Sequence, residues 1–189
     1  DQTKNEQLES ENTSNYTIDT KEPVVSSVVM SDSALKVGDT STLTITFSEA
    51  VNNFDNSDIT LENGTLTAVS SADGGVTWTG TFTPTDDIED TTNIISVGTA
   101  LTDLAGNAPL VGADTNNYTI DTREPVVSSV VMSDSALLVG ETSTLTITFS
   151  EAVTNFDNTD ITFENGTLTA VSSADGGVTW TGTFTPTGD

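Results

Sequence analysis

The chain has 189 residues, of which 29 are Asp or Glu and only 4 are Lys or Arg, giving a formal charge of −25. So acidic a surface repels nucleic acid and anionic membrane, which argues against either as a partner. Cysteine and histidine are absent, removing disulfides, thiolate metal sites and the usual general base.

In chain order the sequence predicts strands at about 24–30, 41–47, 58–62, 65–70, 76–83, 93–98 and 116–120. Alternation is plain in Thr42–Phe47, where Leu43, Ile45 and Phe47 share one face and Thr42, Thr44 and Thr46 the other. Val76–Thr83 repeats the pattern, with Val76, Trp78 and Phe82 inward and the threonines outward. One apolar face and one Thr face is the mark of an antiparallel sheet buried on one side. Trp78 and Trp180 read as core residues, and Phe54 and Phe156 as aromatics on loops. Asn63-Gly64 reads as a hairpin turn between the third and fourth strands, and Asp73-Gly74-Gly75 as the next reversal. Counting strand directions places the turns 48–57 and 71–75 and the loop 99–115 at one end. The turn 31–40 and the acidic loop 84–92 fall at the other. No apolar run approaches the roughly 18 residues of a membrane span, and no signal-peptide pattern opens the chain. About seven short strands with turn signals between them predict an all-β, immunoglobulin-like β-sandwich.

The chain also repeats itself. Tyr16–Thr85 recurs as Tyr118–Thr187 at an offset of 102 residues, with 64 of 70 positions identical. The six differences are Lys21/Arg123, Lys36/Leu138, Asp39/Glu141, Asn52/Thr154, Ser57/Thr159 and Leu61/Phe163. The expected organisation is the end of a preceding repeat with its linker at 1–20, a complete domain at 21–121, and a second domain at 122–189 cut after its fifth strand. Asn15–Asp19 duplicates Asn117–Asp121, so it reads as a spare last strand. The second copy has no counterpart of Asn93–Val97 or Asn116–Ile120, so it should expose core and be unstable alone. Boundaries out of phase with the domains suggest a fragment of a longer array. Head-to-tail association through the spare strand would supply only one of the two missing strands. The linker Asp121–Pro125 is short and stiffened by Pro125, which predicts units stacked end to end in a rod. Repetition adds reach or contacts but little to a catalyst, so the expected role is not enzymatic. Paired carboxylates could serve glycoside hydrolysis, but here no long insertion would wall a sugar cleft.

Oxygen is the only ligand chemistry the composition leaves for a metal, and it suits calcium. The candidate ligands are Asp19 and Glu22 before the first unit, Glu49 in Phe-Ser-Glu-Ala-Val, and Asp103 and Asn107 in Asp-Leu-Ala-Gly-Asn. Asp121 and Glu124 before the second unit, with Glu151 within it, repeat part of the set, and Asp39, Asp86 and Asp87 are expected to face the same junction. Carboxylates gathered at a short junction are costly unless a divalent ion fills it. The run Asp86–Asp90 reads as a solvated loop. Asp55–Asp58 lacks the glycine and distal glutamate of an EF-hand loop. The Asn-x-Thr sequons at Asn63 and Asn117 are better read as a turn and a strand start.

Ile-Asp-Thr-x-x-Pro, Thr-Ser-Thr-Leu-Thr-Ile-Thr-Phe-Ser-Glu-Ala-Val, Asp-Gly-Gly-Val-Thr-Trp-Thr-Gly-Thr-Phe-Thr-Pro and Thr-Asp-Leu-Ala-Gly-Asn together resemble the bacterial Ig-like repeats of giant surface adhesins. Those adhesins are often of the repeats-in-toxin (RTX) type. The resemblance covers the chain from about Tyr16 onward. It implies an extracellular extender on a Gram-negative cell surface, supporting adhesion or biofilm formation and stiffened by calcium, with neighbouring repeats as its partners. It places the acidic positions of the pattern at Asp19, Glu49, Asp103, Asn107, Asp121 and Glu151. Glu22 and Glu124 fall in a variable slot. The competing expectations are a glycan- or protein-binding module and an S-layer or filament subunit.

Overall fold

The structure, a computed structural model, describes residues 15–188, so most of the preceding segment expected at 1–20 lies outside it. The chain divides into two compact units, Asp1–Thr122 and Arg123–Asp189.

In the first unit the strands are β1 (Val25–Met30), β2 (Ala34–Lys36), β3 (Ser41–Phe47), β4 (Val51–Asn52), β5 (Ile59–Thr60), β6 (Gly64–Leu66) and β7 (Ser70–Ser71). They continue with β8 (Thr77–Pro84), β9 (Glu89–Asn93), β10 (Ser96–Val97), β11 (Thr102–Asp103), β12 (Ala113–Asp114) and β13 (Tyr118–Asp121). One layer runs β1-β3-β8-β6, with β7 also on β8. The facing layer is built on a hairpin interrupted in both arms. β9 and β10 pair antiparallel with β13 and β12, β5 adds beside β10, and β2 adds beside β13 in parallel. The alternation predicted in β3 and β8 turns Leu43, Ile45, Phe47 and Phe82 onto Ile95, Val97, Tyr118 and Ile120. All eight are buried. Trp78 packs partly buried against this core, as expected.

Three local expectations are corrected. Asn63-Gly64 does not close a hairpin, because β5 pairs with β10 and β6 with β8. Asn63 does take a positive φ of 56°, but the turn carries the chain from one layer to the other. The acidic loop 84–92 is in part strand: Glu89 opens β9, whose partner is β13. Charged residues fit there because only Asn93 of β9 is buried. Phe54 is not a loop aromatic either. It is buried, with its ring edge-on to Phe47 at 5.2 Å and to Trp78 at 5.4 Å.

The second unit holds β14 (Val127–Met132), β15 (Ser143–Phe149), β16 (Gly166–Leu168), β17 (Ser172–Ser173) and β18 (Thr179–Pro186). These reproduce the first layer of the first unit, register and bulge included. Among the described residues it has no second layer. Val25 and Val28 are 8% and 6% exposed, and their copies Val127 and Val130 are 55% and 61% exposed. The open core expected for this unit is thus present.

Burial of Tyr118 leaves its hydroxyl without a hydrogen-bond partner. Burial, followed by the negative charges of Asp90 and Glu62, pushes its pKa up to about 12. A pKa raised above the unfolded value favours the neutral form. The associated stability is therefore complete below about pH 10 and is lost as pH rises toward 12. Tyr118→Phe should remove that alkaline loss and, by deleting an unpaired hydroxyl, stabilise the first unit by about 1 kcal/mol. Denaturant melts at neutral and alkaline pH check both effects.

Candidate cation-binding site

Three carboxylates meet at one end of the first unit. Glu49 lies in the turn after β3, and β4 pairs with β11 so that Asp103 lies opposite Val51, two residues beyond Glu49. The Asp-Leu-Ala-Gly-Asn loop closes on its own aspartate. Asp103 Oδ1 accepts from the backbone N–H groups of Ala105 and Asn107, both at 2.8 Å, and Oδ2 accepts from Asn107 Nδ2 at 2.9 Å. The Asp103 N–H donates to the Asn107 carbonyl at 2.9 Å, and Gly106 supplies the positive φ of 95° the reversal needs. Asn107 Nδ2 also donates to the carbonyl of Asp19 at 3.3 Å, tying the entering segment to the loop.

One carboxylate oxygen each from Asp19, Glu49 and Asp103 lies within 4.8 Å of the other two. Asp103 is buried, Glu49 partly buried and Asp19 exposed. The Asn107 side chain, supported by the loop amides and opposed by burial, holds the Asp103 carboxyl below the usual range. It is therefore an anion at neutral pH. Glu49 Oε1 is shielded from solvent and has no hydrogen-bond partner. The nearest charge of opposite sign is Lys21 Nζ at 3.9 Å, on a side chain that is 73% exposed, so its attraction is screened. Three converging anions, one with an orphaned buried oxygen, fit a hard divalent cation such as calcium, which takes several carboxylate oxygens at once.

Of the residues singled out from the sequence, the fold gathers Asp19, Glu49 and Asp103 and attaches Asn107 to them by hydrogen bonds. Glu22 and Glu124 are exposed and outside the group. Asp121 is exposed at the end of β13, and Glu151 is partly buried in the second unit; neither belongs to the group. Among the described residues no second group of three acids gathers. Lys21 was not foreseen as a neighbour of Glu49, and only its place two residues after Asp19 could have suggested it.

The other acidic runs have local duties. Asp55 accepts from the N–H and hydroxyl of Ser57 at 2.7 and 2.6 Å, and Asp58 accepts from the Asp55 N–H at 3.1 Å, which caps a one-turn 3-10 helix. The side-chain amides of the sequons at Asn63 and Asn117 are engaged. Asn63 donates to Asp90 and Asn93, and Asn117 donates to the Thr91 carbonyl while accepting from the Asn93 N–H. Asp73 organises the turn 71–75, accepting from Thr77 N–H at 2.9 Å, Ser71 Oγ at 2.8 Å and Val76 N–H at 3.2 Å. That turn packs at the cation-site end, where the Val51 N–H donates to the Gly75 carbonyl. These bonds, those to Thr77 and Ser71 foremost, lower the Asp73 pKa to about 2, and its copy Asp175 behaves alike. A depressed pKa gives stability that is complete above about pH 4 and is lost as pH falls toward 2. Acid titration followed by circular dichroism should show a loss in that window, and Asp73→Asn should flatten the first unit's share of it.

Comparison with curated proteins gives no significant match. The profile described as Bacterial Ig-like domain matches residues 19–120 and again 121–189. The first match runs from Asp19 through the loop of Asp103, so all three gathered acids fall within one repeat. Together with the all-β layers and the 64 of 70 identical positions between copies, this settles the family. The chain belongs to the bacterial Ig-like domain family, as two tandem copies.

Proposed function

We propose that the chain is an extender segment of a giant bacterial surface adhesin of the RTX type, exported from the cell and stiffened by calcium. Its role is to hold a distant adhesive region away from the cell, in support of adhesion or biofilm formation, and it performs no catalysis. The observation that carries this reading is the convergence of Asp19, Glu49 and Asp103 around a buried oxygen without a hydrogen-bond partner in a repeated Ig-like unit. Asp19 ends the segment Asn15–Asp19, a copy of the strand segment that ends a unit. A cation bridging it to Glu49 and Asp103 would fix the angle at which the chain enters the next unit, converting a hinge into a stiff joint. Asp121 and Glu151 repeat two members of that set, with Glu22 and Glu124 close by in sequence.

Glycan or protein binding is less well supported, because Phe54 lies in the core and offers no stacking face. Small-angle scattering and isothermal titration, each run with calcium and with chelator, test the proposal. Calcium should bind stoichiometrically to the first unit and, by fixing the segment that enters it, change the scattering profile. Identical scattering and no heat would refute it.

A further inference from the structure

The chain carries only four cationic side chains, at Lys4, Lys21, Lys36 and Arg123. Within the repeated stretch, Lys21 and Arg123 share one slot. It is the only slot that is cationic in both copies, since Lys36 gives way to Leu138. In so acidic a chain, a positive charge placed twice at one position points to a local cause.

The backbone around Lys21 is fixed on both sides. Its N–H donates to Asp19 Oδ1 at 3.0 Å, and the Asp19 carbonyl accepts from Asn107. Pro23 is buried, and beyond it the Val24 N–H donates to Ser48 Oγ at 2.9 Å. The Ser48 N–H in turn donates to the Val24 carbonyl at 2.9 Å. Ser48 precedes Glu49, so the entering segment is tied to the turn that carries that carboxylate. From this anchored stretch the Lys21 side chain, 73% exposed, brings Nζ to 3.9 Å from Glu49 Oε1, beyond hydrogen-bond range. The ammonium therefore stands over the shielded oxygen that accepts no hydrogen bond. It relieves part of the repulsion among the three acids, yet it is held too loosely to resist a stronger competitor.

We propose that Lys21 is the resident counter-ion of the cation site, displaced by a divalent ion and proof against a monovalent one. This rests on the cation reading of Asp19, Glu49 and Asp103. A calcium ion on Glu49 Oε1 would sit about 2.4 Å from that oxygen, close enough to the ammonium for the two to repel. The lysine then swings into the water that already covers most of it. A sodium ion brings no more charge than the ammonium it would replace and gains little, whereas calcium brings twice as much. Lys21 thus lowers the affinity for calcium and makes the site selective for divalent ions.

Isothermal titration of the full chain with calcium chloride tests this. Lys21→Gln should bind calcium about fivefold more tightly than wild type, the upper range for an exposed ion pair. Lys21→Arg keeps the charge and should bind close to wild type. Lys36→Gln removes the same charge from an exposed residue on β2, outside the group, and should leave the affinity unchanged. That variant separates a local effect from one of net charge. In chelator, wild type should melt alike in sodium chloride and in tetramethylammonium chloride of equal ionic strength. Lys21→Gln should melt higher in sodium, whose ion is small enough to enter. A wild type that binds calcium, with Lys21→Gln binding it no more tightly, overturns this proposal alone. Equal melts of Lys21→Gln in the two salts overturn its monovalent half. If neither protein gives heat with calcium, the cation reading falls and this proposal falls with it.

Discussion

Val28→Asp is expected to unfold the first unit, while the same change at the same place in the repeat, Val130→Asp, leaves the second unit as it was. Val28 lies on β1, buried where that strand packs against β10 and β12. An aspartate there loses the apolar burial of a valine and puts an unpaired carboxylate in the core. Together these cost about 4 kcal/mol or more, a large share of a domain's total stability. Val130 sits in an identical stretch of sequence but is 61% exposed, so its substitution should stay within about 0.5 kcal/mol. Paired denaturant melts would show the first unit's transition lost or strongly shifted in one variant and both transitions kept in the other. Equal losses would mean that the second unit is covered in solution.

Calcium should raise the melting temperature of the first unit by about 10 °C. A ligand that binds only the folded state stabilises by about 2.7 kcal/mol at 100 times its dissociation constant, and a domain of this size shifts about 4 °C or more per kcal/mol. Glu49→Gln should abolish the shift, because it neutralises the carboxylate whose buried oxygen accepts no hydrogen bond. In chelator the sign reverses. Without a cation, Asp19, Glu49 and Asp103 repel one another, so the glutamine variant should melt at or above wild type. Scanning calorimetry of both proteins with and without calcium gives four temperatures. A Glu49→Gln variant that still responds to calcium would remove this site from the account.

Much of this molecule is legible without coordinates. The Thr-and-apolar alternation of Ser41–Phe47 and Thr77–Pro84 is local, and both elements form close to where it places them. Counting strand directions brought the turn holding Glu49, the turn at Gly75 and the loop of Asp103 to one end, where they do meet. What escaped were contacts that depend on a distant partner. Nothing in Ala34–Lys36 announces a strand, and it becomes one only because β13 runs beside it. Asn63-Gly64 has the composition of a hairpin turn, yet the layers claim β5 and β6 separately. Phe54 sits in a polar stretch and is drawn inward by Phe47 and Trp78.

The repeat separates the two kinds of information. By itself the sequence determined the all-β class, the tandem copies, the acidic surface and an oxygen-only ligand set. The β1-β3-β8-β6 layer also follows from it, since that layer forms in both units from nearly the same residues. Tertiary structure decided the rest. The counterparts of β2, β4 and β5 carry almost the same residues in the second unit, yet none is a strand there, because among the described residues their partners β13, β11 and β10 have no counterparts. A short strand is held by the neighbour that completes its hydrogen bonds and covers its apolar side, and that neighbour can lie 40 or more residues away in the chain, as Asp103 does from Val51.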